Sequence, residues 1–191
     1  DVPHVINLSL GSPGRSRLMD SVAHLAQCGV AVAGDPVTDQ SDPGYGVDRE
    51  RCSLSAGALM VAAAGNDGSR SLRIYPAAEG AYGLVSVAAS RADGRLAEFS
   101  NSGRWIDVAA PGDGLTSPVP GGGFGTWSGT SMAAPVVTAT AALLRQMAPG
   151  LPAKEIKRCM VRMGGVVRGS DLPALDPLKA MRSVLAGGAC R

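Results

Sequence analysis

Ser131 stands in the stretch "GTWSGTSMAAPVVTATAALL" (residues 125–144), between a glycine-rich approach and a long apolar run. A hydroxyl becomes a useful nucleophile when a tight turn lifts it clear of the backbone and when unpaired N–H groups at a helix start face developing negative charge. The glycines allow such a turn, and Pro135 suits the first turn of a helix, where a missing N–H costs little. Ser131 is therefore expected at or just before a helix N-terminus. A second polar side chain, Asn66, closes the apolar run of "AAAGNDG" (62–68). Its carboxamide is a donor suited to an oxyanion, although an asparagine before Asp67-Gly68 is also an ordinary turn residue.

The elements that must position these two residues follow an alternating pattern. "HVINLSL" (4–10), "ALMVAAAG" (58–65), "GLVSVAAS" (83–90) and "RWIDVAAPG" (104–112) read as buried strands of a parallel sheet. Between and after them, "SRLMDSVAHLAQ" (16–27) has helical spacing and stops at Cys28-Gly29. "VVTATAALL" (136–144) is small or apolar all the way round, as in a helix threaded through a core. "PAKEIKRCMVRM" (152–163) and "LDPLKAMRSVL" (175–185) read as amphipathic surface helices. This is the pattern of an α/β sandwich.

The composition bounds what such a chain does. At 191 residues, 45% hydrophobic and 18% charged, it is long enough to bury a core, and one domain is expected. A net charge of +2 without basic runs disfavours nucleic acid and anionic membrane as partners. Arg145 interrupts the longest apolar stretch before it reaches the roughly 18 residues that span a bilayer. Cys28, Cys52, Cys159 and Cys190 allow three pairings; Cys28 with Cys52 and Cys159 with Cys190 is favoured, with free buried thiols as the alternative. The even count is compatible with an oxidising compartment, so a secreted or cell-envelope location is expected.

Five stretches together resemble a known family. "VINLSLGS" (5–12), "AAAGNDG" (62–68), "YPAAEGAYGLVSVAAS" (75–90), "FSNSGRWIDVAAPG" (99–112) and "GTSMAAP" (129–135) occur in the order seen in subtilisin-like serine proteases, the subtilases. The resemblance implies a subtilisin-like three-layer α/β sandwich with a mainly parallel sheet. It implies a serine endopeptidase acting on polypeptide, with Ser131 as nucleophile and Asn66 as oxyanion donor beside the nucleophile's own N–H. Ser9, Leu10 and Gly11 resemble the edge on which a substrate lies as an added strand, and Ala63, Ala64 and Gly65 the other side of the specificity pocket. Ile74, just before Tyr75-Pro76, resembles the pocket floor, where it would favour small or medium apolar side chains. Pro76 follows a tyrosine, a pair that sometimes adopts the cis bond, so cis is an alternative to the commoner trans isomer, which is favoured.

One departure from the family is large. The aspartate and histidine of a subtilase triad are marked by Asp-Ser/Thr-Gly and His-Gly-Thr, and neither occurs. The two histidines, His4 and His24, do not match the catalytic position and read as packing or exposed residues; Asp67, Asp107 and Asp113 read as turn or strand-end carboxylates. The expectation is a C-terminal portion of a subtilase domain (1–191) without the first strands, inert alone, its Asp and His coming from a missing N-terminal segment or from a separate N-terminal chain. A catalytically inactive, peptide-binding remnant is the alternative. Residues 28–55 read as an insertion; its Asp35, Asp39, Asp42, Asp48 and Glu50 offer oxygen ligands for a structural Ca²⁺, but in no defined calcium-loop spacing. No metal or cofactor is needed for the chemistry. A phosphate-binding loop at "PGGGFGTWSG" (120–129) lacks the G-x-x-x-x-G-K-[ST] pattern.

Overall fold

Short runs of small and branched apolar residues build the sheet. In the computed structural model, which describes residues 4–15, 57–79, 83–187 and Cys190, four strands pair in parallel in the order β1 (Val5–Leu8), β2 (Leu59–Ala63), β3 (Leu84–Ser90) and β4 (Val108–Pro111). Both faces of β2 and β3 are buried, and the two-residue period of a strand divides them. Leu59, Val61, Val85, Val87 and Ala89 point to one face, against helices α1 (Thr130–Met147), α2 (Ala153–Arg162) and α3 (Pro177–Leu185). Met60, Ala62 and Leu84 face the other way and meet Ala77 of a 3-10 turn (Ala77–Glu79), while Ala88 and Ala109 meet Ile106, Val167 and Leu172. A sheet covered on both faces is the α/β sandwich read from the sequence.

Several boundaries differ from the sequence reading. The first strand ends at Leu8, so Ser9, Leu10 and Gly11 leave the sheet as an exposed segment. The fourth strand begins only at Val108, because Ile106 N–H closes onto the carbonyl of Gly103, which adopts a positive φ, and 103–106 turns. Two antiparallel strands, β5 (Leu115–Pro118) and β6 (Phe124–Trp127), form a hairpin with Gly121–Gly123 at its tip. The glycine run thus serves a turn, separated by the whole of β6 from the α1 N-cap Gly129.

α1 starts six residues before the apolar run. Pro135 accordingly lies in its second turn rather than its first. Nor is the helix enclosed: Ala133, Ala134, Val137, Ala141 and Leu144 are buried, whereas Pro135, Ala139, Ala142 and Leu143 are exposed. The side chains are small because the buried face lies close on four strands, not because the helix is surrounded. The Tyr75–Pro76 bond is cis, correcting the trans expectation; paired Ser12 and Tyr75 main chains, N–H to carbonyl at 3.0 and 2.8 Å, hold the chain at that turn. Cys159 and Cys190 form a disulfide. The pairing of Cys28 with Cys52, the helix at 16–27 with His24, and the acidic insertion 28–55 lie outside the described residues. Among the described residues no helix is long and apolar enough to cross a membrane, and no cluster of three or more His, Cys, Asp or Glu is placed to hold a metal.

Candidate active site

Ser131 is the second residue of α1, in the first turn, whose N–H groups have no intrahelical acceptor. Asn66 follows directly on the bend after β2. Its Oδ1 accepts from Thr130 N at 2.8 Å and from Thr130 Oγ1 at 3.0 Å, while Thr130 Oγ1 accepts from Gly65 N at 3.1 Å. Anchoring Oδ1 on Thr130 fixes which way the Asn66 carboxamide faces and leaves Nδ2 on its other side. A methyl group built on Gly129 would lie 3.4 Å from Asn66 Nδ2 and 3.7 Å from Ser131 N. Two nitrogen donors thus lie within reach of one point beside Gly129, which Met132 Sδ also borders at 3.3 Å. A developing oxyanion is the species such a pair suits.

The bend carrying Asn66 is fixed from beneath by Asn101, which is fully buried. Its Oδ1 accepts from Asp67 N (3.1 Å) and Ser69 N (2.9 Å), and its Nδ2 donates to the Ala64 carbonyl (2.9 Å) and to Asp67 Oδ2 (3.1 Å). Its own N–H reaches the Gly65 carbonyl at 3.0 Å. Gly65 has φ of +96°, and a side chain there would collide with Asn101 Nδ2 and Ile74 Cγ1. Thr130 and Asn101 were missed in the sequence reading. The signals were present: a threonine next to the nucleophile, and an asparagine between two serines just before an apolar strand.

Leu10, Gly11, Ala63, Gly65, Asn66, Ile74 and Ser131 come together around a pocket of about 450 Å³, joined by Pro13, Asp67 and Thr130. Ile74 is buried between the two glycine walls, its Cγ2 against Gly11 and its Cγ1 against Gly65. Ser9 lies beside this pocket and contacts Ser131 directly, its Oγ donating to the Ser131 carbonyl at 2.8 Å while Ser131 Oγ donates to the Ser9 carbonyl at 3.1 Å. Ala64 is apart from the rest: its side chain is buried in the core with Ala88 and Ile106, and only its carbonyl serves the site, through Asn101.

The remaining candidates are placed elsewhere. His4 is exposed at the head of β1. Asp107 precedes β4, where its carboxylate accepts from Ser86 N and Oγ, each at 2.9 Å, and pairs with Lys157 Nζ at 2.8 Å. Asp113 accepts from Ser128 Oγ at 2.7 Å, closing the base of the β5–β6 hairpin.

Comparison with known proteins bears on the family and the fold. The sequence profile described as Peptidase_S8, subtilase family, matches residues 1–171. Subtilisin BL of Lederbergia lenta is 34% identical over 146 residues, 76% of this chain and 43% of that protein. Subtilisin-like protease 7 of Trichophyton equinum is 43% identical over 103 residues, 54% of this chain and 25% of that protein. The chain spans less than half the length of these curated relatives. Among solved structures, a protease from Pseudoalteromonas arctica superposes with a TM-score of 0.68 at 27% identity, over 94% of this chain and 50% of that one. A cold-adapted subtilisin-like serine proteinase superposes with a TM-score of 0.67 at 28% identity, over 92% of this chain and 55% of that one.

Proposed function

The chain belongs to the subtilase family, and on that premise we propose that it carries the nucleophile and oxyanion site of a serine endopeptidase that cleaves extended polypeptide. The Asn66 carboxamide, tied by Oδ1 to Thr130 N next to Ser131 and with Nδ2 and Ser131 N both near Gly129, supports this reading most directly. In the proposed reaction Ser131 Oγ attacks the scissile carbonyl and loses its proton to a general base. The oxyanion accepts from Asn66 Nδ2 and Ser131 N–H. Collapse breaks the C–N bond, the base returns the proton to the leaving amine, and water then hydrolyses the acyl-enzyme by the same steps in reverse order.

The base and its aspartate come, in this proposal, from sequence outside these 191 residues, in one longer polypeptide or a second chain. The absence of Asp-Ser/Thr-Gly and His-Gly-Thr, together with a span under half that of the curated relatives, supports it. Substrate would lie along Ser9–Gly11 on one side and Ala63–Gly65 on the other, with the side chain preceding the cleaved bond entering the pocket above Ile74. Because Ile74 fills the space between the glycine walls, small or medium apolar side chains fit best. The Cys159–Cys190 disulfide supports a secreted or cell-envelope location.

A second reading, an inert peptide-binding module, draws on one observation: the Ser131 hydroxyl is engaged by the Ser9 carbonyl. A fluorophosphonate probe applied to the full-length protein separates the two. Modification of Ser131, located by peptide mass spectrometry and lost in Ser131→Ala, supports the peptidase. Peptide binding without modification supports the module.

A further inference from the structure

Resting on the reading of Ser131 as a nucleophile, we infer that Asn7, Ser9 and Thr138 are positioning residues that hold the nucleophile's own carbonyl, and that Pro135 is what leaves this carbonyl to be held. An α-helical carbonyl normally accepts the N–H four residues on. For Ser131 that residue is Pro135, which has none. The Ser131 carbonyl accepts from Ser9 Oγ instead, at 2.8 Å. Since the Ser9 hydroxyl gives its only proton there, it is the acceptor for Asn7 Nδ2, at 2.9 Å. Asn7 Oδ1 lies 3.0 Å from Thr138 Oγ1, which is also 3.0 Å from the Ala134 carbonyl, so the Thr138 proton is shared between two acceptors. The hydrogen-bonded path thus leaves the third turn of α1 at Thr138, crosses to β1 and returns to α1 at Ser131.

This arrangement matters because the helix alone does not fix the nucleophile. Ser131 lies in a first turn with no N-cap side-chain bond, and its carbonyl lacks the usual helical donor. Ser9 replaces that donor from the segment against which substrate is proposed to lie. One residue therefore sets the distance between the substrate edge and the attacking oxygen, where an error of about 1 Å costs roughly 100-fold in rate. Asn7 and Ser9 are exposed, so side-chain burial contributes little to holding them and the hydrogen bonds carry the geometry. Bound substrate would cover them and strengthen those bonds by excluding water.

The test uses the full-length protein with Ser9→Ala, Thr138→Val, Pro135→Ala and the Ser9→Ala/Pro135→Ala double variant, reading kcat and KM separately on a peptide substrate. Ser9→Ala should lower kcat about 3- to 10-fold, the range of one hydrogen bond, with KM within about twofold. Pro135→Ala should restore part of that loss in the double variant, because Ala at 135 supplies the missing N–H. Because removing a helix-interior proline also raises stability generally, kcat is compared on the folded fraction of each variant, where a general gain in stability gives no rescue. Unchanged kcat in Ser9→Ala, or a double variant whose losses simply add, overturns the inference. Thr138→Val preserves shape and decides the matter if Ser9→Ala does not fold: a kcat reduced about 2-fold or more supports the path, and an unchanged one overturns it. A wild-type protein that fluorophosphonate leaves unmodified overturns the nucleophile reading and this inference with it. A modified wild type with unaltered variants overturns this inference alone.

Discussion

Replacing Asn101 by alanine tests whether the oxyanion donor is held from beneath. The side chain makes four hydrogen bonds, two accepted from Asp67 and Ser69 N–H groups and two donated to the Ala64 carbonyl and the Asp67 carboxylate. Asp67 is exposed and recovers water when the partner is lost, whereas Ala64 is buried and Ser69 half-buried. At about 1–3 kcal/mol for each group left unpaired, these two give a loss of roughly 2–6 kcal/mol. For a domain of about 150–250 residues that lowers Tm by roughly 4–24 °C. The consequence for chemistry is separate. Asn66 remains anchored to Thr130 by Oδ1, but the bend 65–69 is released, and kcat should fall about 10- to 100-fold through misplacement of Nδ2. That is less than the roughly 100- to 1,000-fold expected for Asn66→Ala, which deletes the donor. Asn101→Asp keeps the shape but sets an oxygen against the Ala64 carbonyl and the Asp67 carboxylate, so it should be no better tolerated. Thermal unfolding and kcat of the full-length protein provide both readouts. A Tm within about 2 °C of wild type together with kcat within twofold would show that the bend holds itself, and would refute the reasoning.

Ile74→Gly removes the side chain lodged between Gly11 and Gly65 and should admit bulky aromatic residues before the cleaved bond, at a stability cost of at least the roughly 2–5 kcal/mol typical of a buried Ile→Ala. Cleavage of a substrate panel varied at that position checks it, and an unaltered profile sinks the pocket assignment. At the α3 N-cap, the Lys179 backbone N–H donates to Asp176 at 3.0 Å and is the main cause holding its carboxyl below the usual range. A depressed folded-state pKa gives stability that is present above the unfolded value, near about 3.9, and lost as pH falls through the folded value. Asp176→Ala should therefore cost about 1 kcal/mol at neutral pH, with a difference in Tm that narrows as the solution is acidified below about pH 4. A gap independent of pH would show that the charge has no part in the cap.

How much of this was legible depends on how local each cause is. The strand cores around Leu59–Ala63 and Leu84–Ser90 and the amphipathic helices at Ala153–Arg162 and Pro177–Leu185 could be read directly, because apolar periodicity acts over a few residues, whereas the proposed roles of Ser131 and Asn66 came with the family resemblance. The start of α1 near Ser131 could be read as well, to within a residue or two. What holds that start could not, because Thr130 N is capped by Asn66, a partner 64 positions away in sequence. The cis bond before Pro76 is likewise held among contacts from Ser12, across the pocket from its own segment. Pro135 shows the division most clearly. From sequence it marked only that a helix begins nearby, since proline fixes one dihedral angle and removes one donor wherever it stands. Which carbonyl that missing donor leaves open, and that Ser9 rather than water fills it, was decided by the packing of β1 against α1.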